Sequence, residues 1–139
     1  MSLSIPAGPK LLFFYGTLRL PHILKDVVGL DATPTLRDAS VRGYTIKMWG
    51  PYPALIKDPS DVNDRAGEEI ATSGKAWMMH EESHLQRLIF YESRNYRLEK
   101  VDIFLEDAST PLSGYTFVFN GRDRELVDGV FNAAAFGGA

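Results

Sequence analysis

The sequence predicts an α+β domain: a small, curved or closed mixed sheet with helices packed at its side or mouth. Three observations lead there. Short segments with β-character outnumber the helical ones. The first of them, Leu11-Leu12-Phe13-Phe14-Tyr15, is apolar without a break, which marks a strand buried on both faces. The helices also fail to alternate regularly with the strands, as a doubly wound sheet would require.

In chain order, residues 1–10 are small and polar with two prolines and read as a loose tail. Strand one covers about 11–15. Gly16 ends it, lets the backbone turn sharply and permits close approach of a ligand, and Thr17 adds a hydroxyl. Ile23, Leu24, Val27 and Val28 then fall at helical spacing, with Pro21 in the first turn and Gly29 as a stop. Thr35 to Trp49 reads as extended chain bent at Gly43, followed by a turn at Gly50-Pro51-Tyr52-Pro53 and a short strand at Ala54–Ile56. Lys57 to Arg65 is a loop rich in Asp, Pro, Ser and Asn. Gly67 to Met79 reads as one or two strands, and residues 81–92 as a helix. Strands follow at Val101–Leu105 and Gly114–Phe119, separated by a turn region. After the Asn120-Gly121 turn, Asp123 to Phe131 reads as a last helix with Leu126, Val127 and Val130 on one side, and residues 132–139 as a frayed end. Residues 11–131 thus form one domain, with no repeat or linker to divide it.

Composition excludes several function classes. The net charge of −3 gives no electrostatic footprint for nucleic acid. No apolar run approaches the roughly 18 residues of a membrane span, and Met1 to Lys10 lacks the pattern of a secretory signal. The absence of cysteine removes disulfides, thiolate nucleophiles and Cys-based zinc sites. A cytoplasmic location is expected.

The helix over 81–92 carries an anomaly. Leu85, Leu88 and Ile89 form one apolar stripe, and the next position on it is Glu92. A carboxylate facing an apolar interior must be paired or hold its proton more tightly, and one so placed is a candidate general base. The alternative is that Glu92 bends outward at the helix end and pairs with Arg94 or Arg97.

His80-Glu81-Glu82-Ser83-His84 matches H-E-x-x-H, in which two histidines one turn apart bind zinc. The context argues against that use. Gly74 to Met79 reads as strand, so His80 falls at or before the helix start, and the one other histidine, His22, is remote in sequence. Glu81 and Glu82 instead complement the dipole of the helix N-terminus. No metal site is expected.

Several short motifs together resemble a known family. Tyr15-Gly16-Thr17-Leu18 is similar to the Y-G-x-L loop of the gamma-glutamylcyclotransferase-like superfamily, which includes the plant AIG2-like proteins. Tyr52-Pro53-Ala54-Leu55, Gly74-Lys75-Ala76-Trp77, Leu85 to Tyr91-Glu92, Tyr96 with Val101 and Ile103, and Gly114-Tyr115 resemble further family segments in the same order, across residues 11–120. The resemblance implies a small mixed α/β fold around a β-barrel. It implies release of 5-oxoproline from a gamma-glutamyl amine, amino acid or peptide, without cofactor or metal. It places the catalytic glutamate at Glu92 and the substrate loop at Tyr15, Gly16, Thr17 and Leu18. Tyr115, on the last strand, is a further candidate to face the pocket and donate a hydroxyl hydrogen bond. The chain departs from the pattern at two positions: Ile89 stands where many members have Asp, and Leu98 where many have Arg. The second functional reading is a non-catalytic small-molecule binding or regulatory protein on the same fold, with Glu92 binding an amine.

Overall fold

The structure, a computed structural model, describes residues 8–57 and 71–129. The expected loop at 58–65, residues 67–70 of the expected strand, residues 1–7 of the expected tail and the frayed end at 132–139 lie outside the described residues.

Five strands close into a barrel: β1 (Lys10–Phe14), β2 (Arg37–Arg42), β5 (Ala71–Met79), β6 (Tyr96–Leu105) and β7 (Leu112–Phe119). Their order around it is β1-β5-β2-β6-β7. Four of the pairings are antiparallel, and the parallel pairing of β1 with β7, through Leu12 with Tyr115 and Phe13 with Thr116, closes the ring. The mixed sheet is the predicted one, and closure leaves the barrel without free edges. Two further strands, β3 (Tyr44–Trp49) and β4 (Tyr52–Lys57), form a separate antiparallel ribbon. The bend expected at Gly43 is the point, at φ 81°, where the chain leaves the barrel for this ribbon.

Alternation along β1 explains its unbroken apolar run. Leu11, Phe13 and Tyr15 point into the barrel with Val41, Ala76, Val101, Ile103 and Val118. Leu12 and Phe14 point outward, under helices α1 (Pro21–Val28) and α2 (Glu82–Glu92), where they meet Leu24, Val28, Leu85 and Leu88. A strand covered on both sides has no polar face to show. Gly74 of β5 is required by this packing. A Cβ there would lie 2.2 Å from the Phe14 carbonyl oxygen and 2.7 Å from the Phe13 ring.

Three expectations are corrected. β6 begins at Tyr96 rather than Val101, because residues 96–100 pair along β7 from Phe119 to Tyr115. β1 starts at Lys10, which is buried, so the tail ends earlier than expected. The last helix does not form in the described part of 123–131. A single 3-10 turn at Asp123–Glu125 is followed by a two-way backbone pairing of Val127 with Met48 of β3, at 2.7 and 2.9 Å. That bridge takes up the backbone groups a helix would need and places buried Leu126 and exposed Val127 on different sides.

Candidate active site

One end of the barrel opens into a cavity of about 580 Å³. Its floor comes from β1 and the loop after it. Tyr15, Gly16, Thr17 and Leu18 all line it. Gly16 is not in a left-handed conformation, at φ −108°, ψ −143°. It is set by proximity, since a Cβ would stand 3.2 Å from Pro53 Cγ on the ribbon. A 3-10 turn over Thr17–Arg19 follows, closed by Arg19 N–H to Gly16 O and Leu20 N–H to Thr17 O, each at 3.0 Å. These bonds leave the N–H groups of Thr17 and Leu18 without a partner inside the turn. A short turn of this kind is a source of free donors at a cavity wall.

Tyr15 contributes its ring rather than its hydroxyl. The hydroxyl donates to Phe117 O at 2.6 Å and accepts from Leu55 N–H at 3.3 Å, tying β7 and the ribbon to the end of β1. Burial, and next the charge of Glu92, hold its proton well above the usual tyrosine range.

The C-terminal end of α2 supplies the acid. Leu85 and Leu88 of the stripe are buried against β1, and Glu92 continues it into the cavity. Among the described residues no ion pair or hydrogen bond joins Glu92 to Arg94 or Arg97, so the outward alternative is not adopted. Desolvation pushes its carboxyl up to about 7. Ser93 fixes the stop. It adopts φ 66°, ψ −175°, a region almost confined to glycine, while its N–H still bonds Ile89 O at 3.0 Å. Its hydroxyl accepts from the Asn95 side-chain amide at 3.0 Å. A second tie joins helix to loop: the hydroxyls of Thr17 and Tyr91 lie 2.9 Å apart.

The remaining wall is aromatic. Trp49 and Tyr52 face each other across the ribbon's turn, with ring centroids 6.3 Å apart, and Trp49 also meets Tyr96 and Phe119. The Tyr96 hydroxyl donates to Pro53 O at 2.7 Å and anchors the ribbon.

Tyr115 is not part of this cavity. It shares the outer face of β7 with Phe117 but sits two residues nearer the strand's start, where it lines a separate hollow with Lys10, Leu11 and Met78, while Phe117 takes a place in the cavity wall. Ser93, Asn95 and the Trp49–Tyr52 pair were not singled out as site residues in the sequence. A Ser-Arg-Asn run after an apolar helix signals a stop, but nothing in it reveals a strained φ.

A larger hollow of about 820 Å³ borders the ribbon and includes Tyr44, Arg97 and Glu99. Its two acids are already engaged: Tyr44 Oη donates to Glu99 Oε2 at 2.5 Å, Arg97 bonds Glu99 Oε1 at 3.2 Å, and Lys47 pairs with Asp128 at 2.6 Å. The first cavity is the one with an unengaged carboxylate. The histidine pair is ruled out as a helical metal motif by geometry: α2 starts at Glu82 and Glu81 is its cap, so exposed His80 lies outside the helix. Among the described residues no group of three metal-ligating side chains is assembled.

The family model described as gamma-glutamyl cyclotransferase, AIG2-like, matches residues 12–132. The chain belongs to this family. Comparison of the sequence with curated proteins gives no match. Solved structures similar to this cyclotransferase-family chain include a protein of Arabidopsis thaliana at 23% identity and TM-score 0.70, with 98% of this chain and 85% of that one covered. An AIG2-like protein from Mus musculus superposes at 14% identity and TM-score 0.66, covering 91% of this chain and 87% of that one. A structure described as gamma-glutamyl cyclotransferase superposes at 13% identity and TM-score 0.62, covering 81% of this chain and 68% of that one. At these identities the likeness establishes the fold. The two departures from the family pattern are both apolar packing positions here: Ile89 and Leu98 lie against the cluster between helices and barrel. Arg97, next to the second, bonds Phe119 O at 3.2 Å and lines the other hollow rather than this cavity.

Proposed function

We propose that the protein is a gamma-glutamyl cyclotransferase that releases 5-oxoproline from a small gamma-glutamyl compound, with Glu92 as general base. The observation that carries this reading is the placement of an unengaged carboxylate, raised to about 7, in one cavity with the Gly16–Leu18 loop. The substrate's α-amine attacks its own γ-carbonyl carbon. The new C–N bond closes a five-membered lactam, and the bond from that carbon to the departing nitrogen breaks. The attacking nitrogen gives a proton to Glu92, which returns it to the leaving amine.

The N–H groups of Thr17 and Leu18 hold the α-carboxylate or the oxyanion that develops on the carbonyl. Holding the glutamyl chain curled supplies much of the acceleration, since oriented intramolecular reactions reach effective molarities of about 10⁵ M or more. The chemistry asks for no enzyme nucleophile, and a chain without cysteine working in the cytoplasm suits it. No described helix is long and apolar enough to cross a membrane.

Incubation with gamma-glutamyl substrates, followed by 5-oxoproline detection, tests the reading. Turnover lost in Glu92→Gln with ligand binding retained supports it. Unchanged turnover removes Glu92 from the base role. Binding without any turnover in the native protein favours the non-catalytic alternative.

A further inference from the structure

The cavity has one acidic residue and an aromatic wall, and this asymmetry bears on what leaves in the reaction. Among the described residues that line it, Glu92 is the one charged side chain; no Lys, Arg or His does so. A gamma-glutamyl substrate already brings an amine for Glu92 and an α-carboxylate for the loop. A second carboxylate, on an amino acid or peptide leaving group, would enter beside Glu92 with no cation to meet it. Burying such a charge unpaired is costly, and a like charge nearby adds to the cost.

What the cavity does offer is flat apolar surface at the ribbon's tip. Trp49 and Tyr52 pair across the turn, their planes tilted by 42°. Trp49 is braced from behind by Phe119 at 5.7 Å between centroids, so its ring is held in place. Tyr52 is 49% exposed and stands at the mouth. Rigid rings at the edge of a cavity take a planar partner at small entropic cost.

We infer that the leaving amine carries an uncharged aromatic or similarly flat apolar group, held against Trp49 and Tyr52, and that leaving groups with a free carboxylate are rejected. This rests on the cyclotransferase reading above. It adds Trp49 and Tyr52 as specificity-determining residues and narrows the substrate to gamma-glutamyl amides of apolar amines.

The test compares three compounds: the gamma-glutamyl anilide, the gamma-glutamyl methylamide and gamma-glutamylglycine. The native protein is assayed for 5-oxoproline, and Glu92→Gln is titrated with each compound by calorimetry, so that preference is read with and without turnover. The expected order of kcat/KM and of affinity is anilide, methylamide, gamma-glutamylglycine, with roughly tenfold or more between the first and last. Tyr52→Ala, a change at a half-exposed site, lowers the anilide value about two- to tenfold more than it lowers the methylamide value. Trp49→Phe, which keeps a ring in place, gives a smaller difference between the anilide and methylamide losses.

Gamma-glutamylglycine handled as well as the anilide overturns the inference, as does an equal loss on all three compounds in Tyr52→Ala. If none of the three yields 5-oxoproline, the cyclotransferase reading fails. The calorimetric order still decides the preference of the cavity: the predicted order supports it, and any other order, or no binding, ends it.

Discussion

The hydroxyls of Thr17 and Tyr91 lie 2.9 Å apart, joining the loop after β1 to the last turn of α2. The two parts of the proposed site, donor loop and acid, therefore have a direct link besides the barrel that carries them. Removing that link in Tyr91→Phe is expected to cost well under about 1 kcal/mol of stability, because the bond is exposed. It is expected to lower kcat about three- to tenfold through looser alignment. Kinetics and a denaturant melt on the same variant separate the two effects.

As the proposed base, Glu92 is expected to set the pH dependence of turnover. A base must be ionised to act, and its carboxyl is raised to about 7. The expected kcat/KM rises about tenfold per pH unit below that point and levels above it. A profile over pH 5 to 9 on the native protein checks this. A limb that levels near the ordinary carboxylate range contradicts it.

The same group sets a pH dependence of stability. Its folded value, about 7, is above the ordinary 4.5 of an exposed carboxyl. Below the lower value both states hold the proton and nothing is lost. Between the two values the unfolded chain releases the proton first, so stability falls as pH rises. Above the upper value the loss is complete, at about 3 kcal/mol. Glu92→Gln removes this cost and is expected to be more stable than the native protein at pH 8, with the difference fading by pH 4.5. Urea melts at the two pH values measure it.

Tyr15→Phe deletes a hydroxyl that satisfies both Phe117 O and Leu55 N–H in the interior. Leaving those two backbone groups without a partner is expected to cost about 1–3 kcal/mol. The cavity keeps its ring, so residual activity at low temperature should exceed that of Glu92→Gln. Chemical denaturation and 5-oxoproline release report the two quantities.

Ser93→Gly tests the strained stop of α2. The backbone at φ 66° and ψ −175° costs a serine on the order of 1–3 kcal/mol that glycine does not incur. Part of the gain is offset by the two lost hydrogen bonds from Asn95, through its backbone N–H and its side-chain amide. A net rise in stability of about 1 kcal/mol is expected by thermal melt, whereas Ser93→Ala, which keeps the strain and loses the bonds, is destabilised.

Much of the fold was legible because its signals are local. The unbroken apolar run at 11–15 records a strand covered on both faces, and Pro21 with Gly29 marks the ends of α1. Three- and four-residue spacing along α2 put Glu92 on the apolar stripe but left open whether it turned inward or bent out to an arginine; that it lines the cavity came from the structure. Other features depend on contacts distant in sequence. The start of β6 at Tyr96 is hidden by Arg97, Glu99 and Lys100, whose polarity looks like a loop until β7 is in place to pair with them. The end of the chain reads as a helix because Leu126, Val127 and Val130 have helical spacing, yet Met48 captures the backbone of Val127. Tyr115 was read as a pocket residue. It shares a face of β7 with Phe117, which lines the cavity, but stands two residues nearer the strand's start, and how far along a strand a cavity reaches is invisible until the barrel closes.

The ribbon of β3 and β4 stands apart from the barrel sheet, fastened by side-chain hydroxyls of Tyr15, Tyr96 and Thr72 and by the Met48–Val127 bridge. Its tip, bearing Trp49 and Tyr52, has its own backbone support and does not share a strand with Glu92. In the proposed cyclotransferase, selectivity can therefore be altered by changing side chains at one hairpin tip without changing the residues of α2 that carry Glu92.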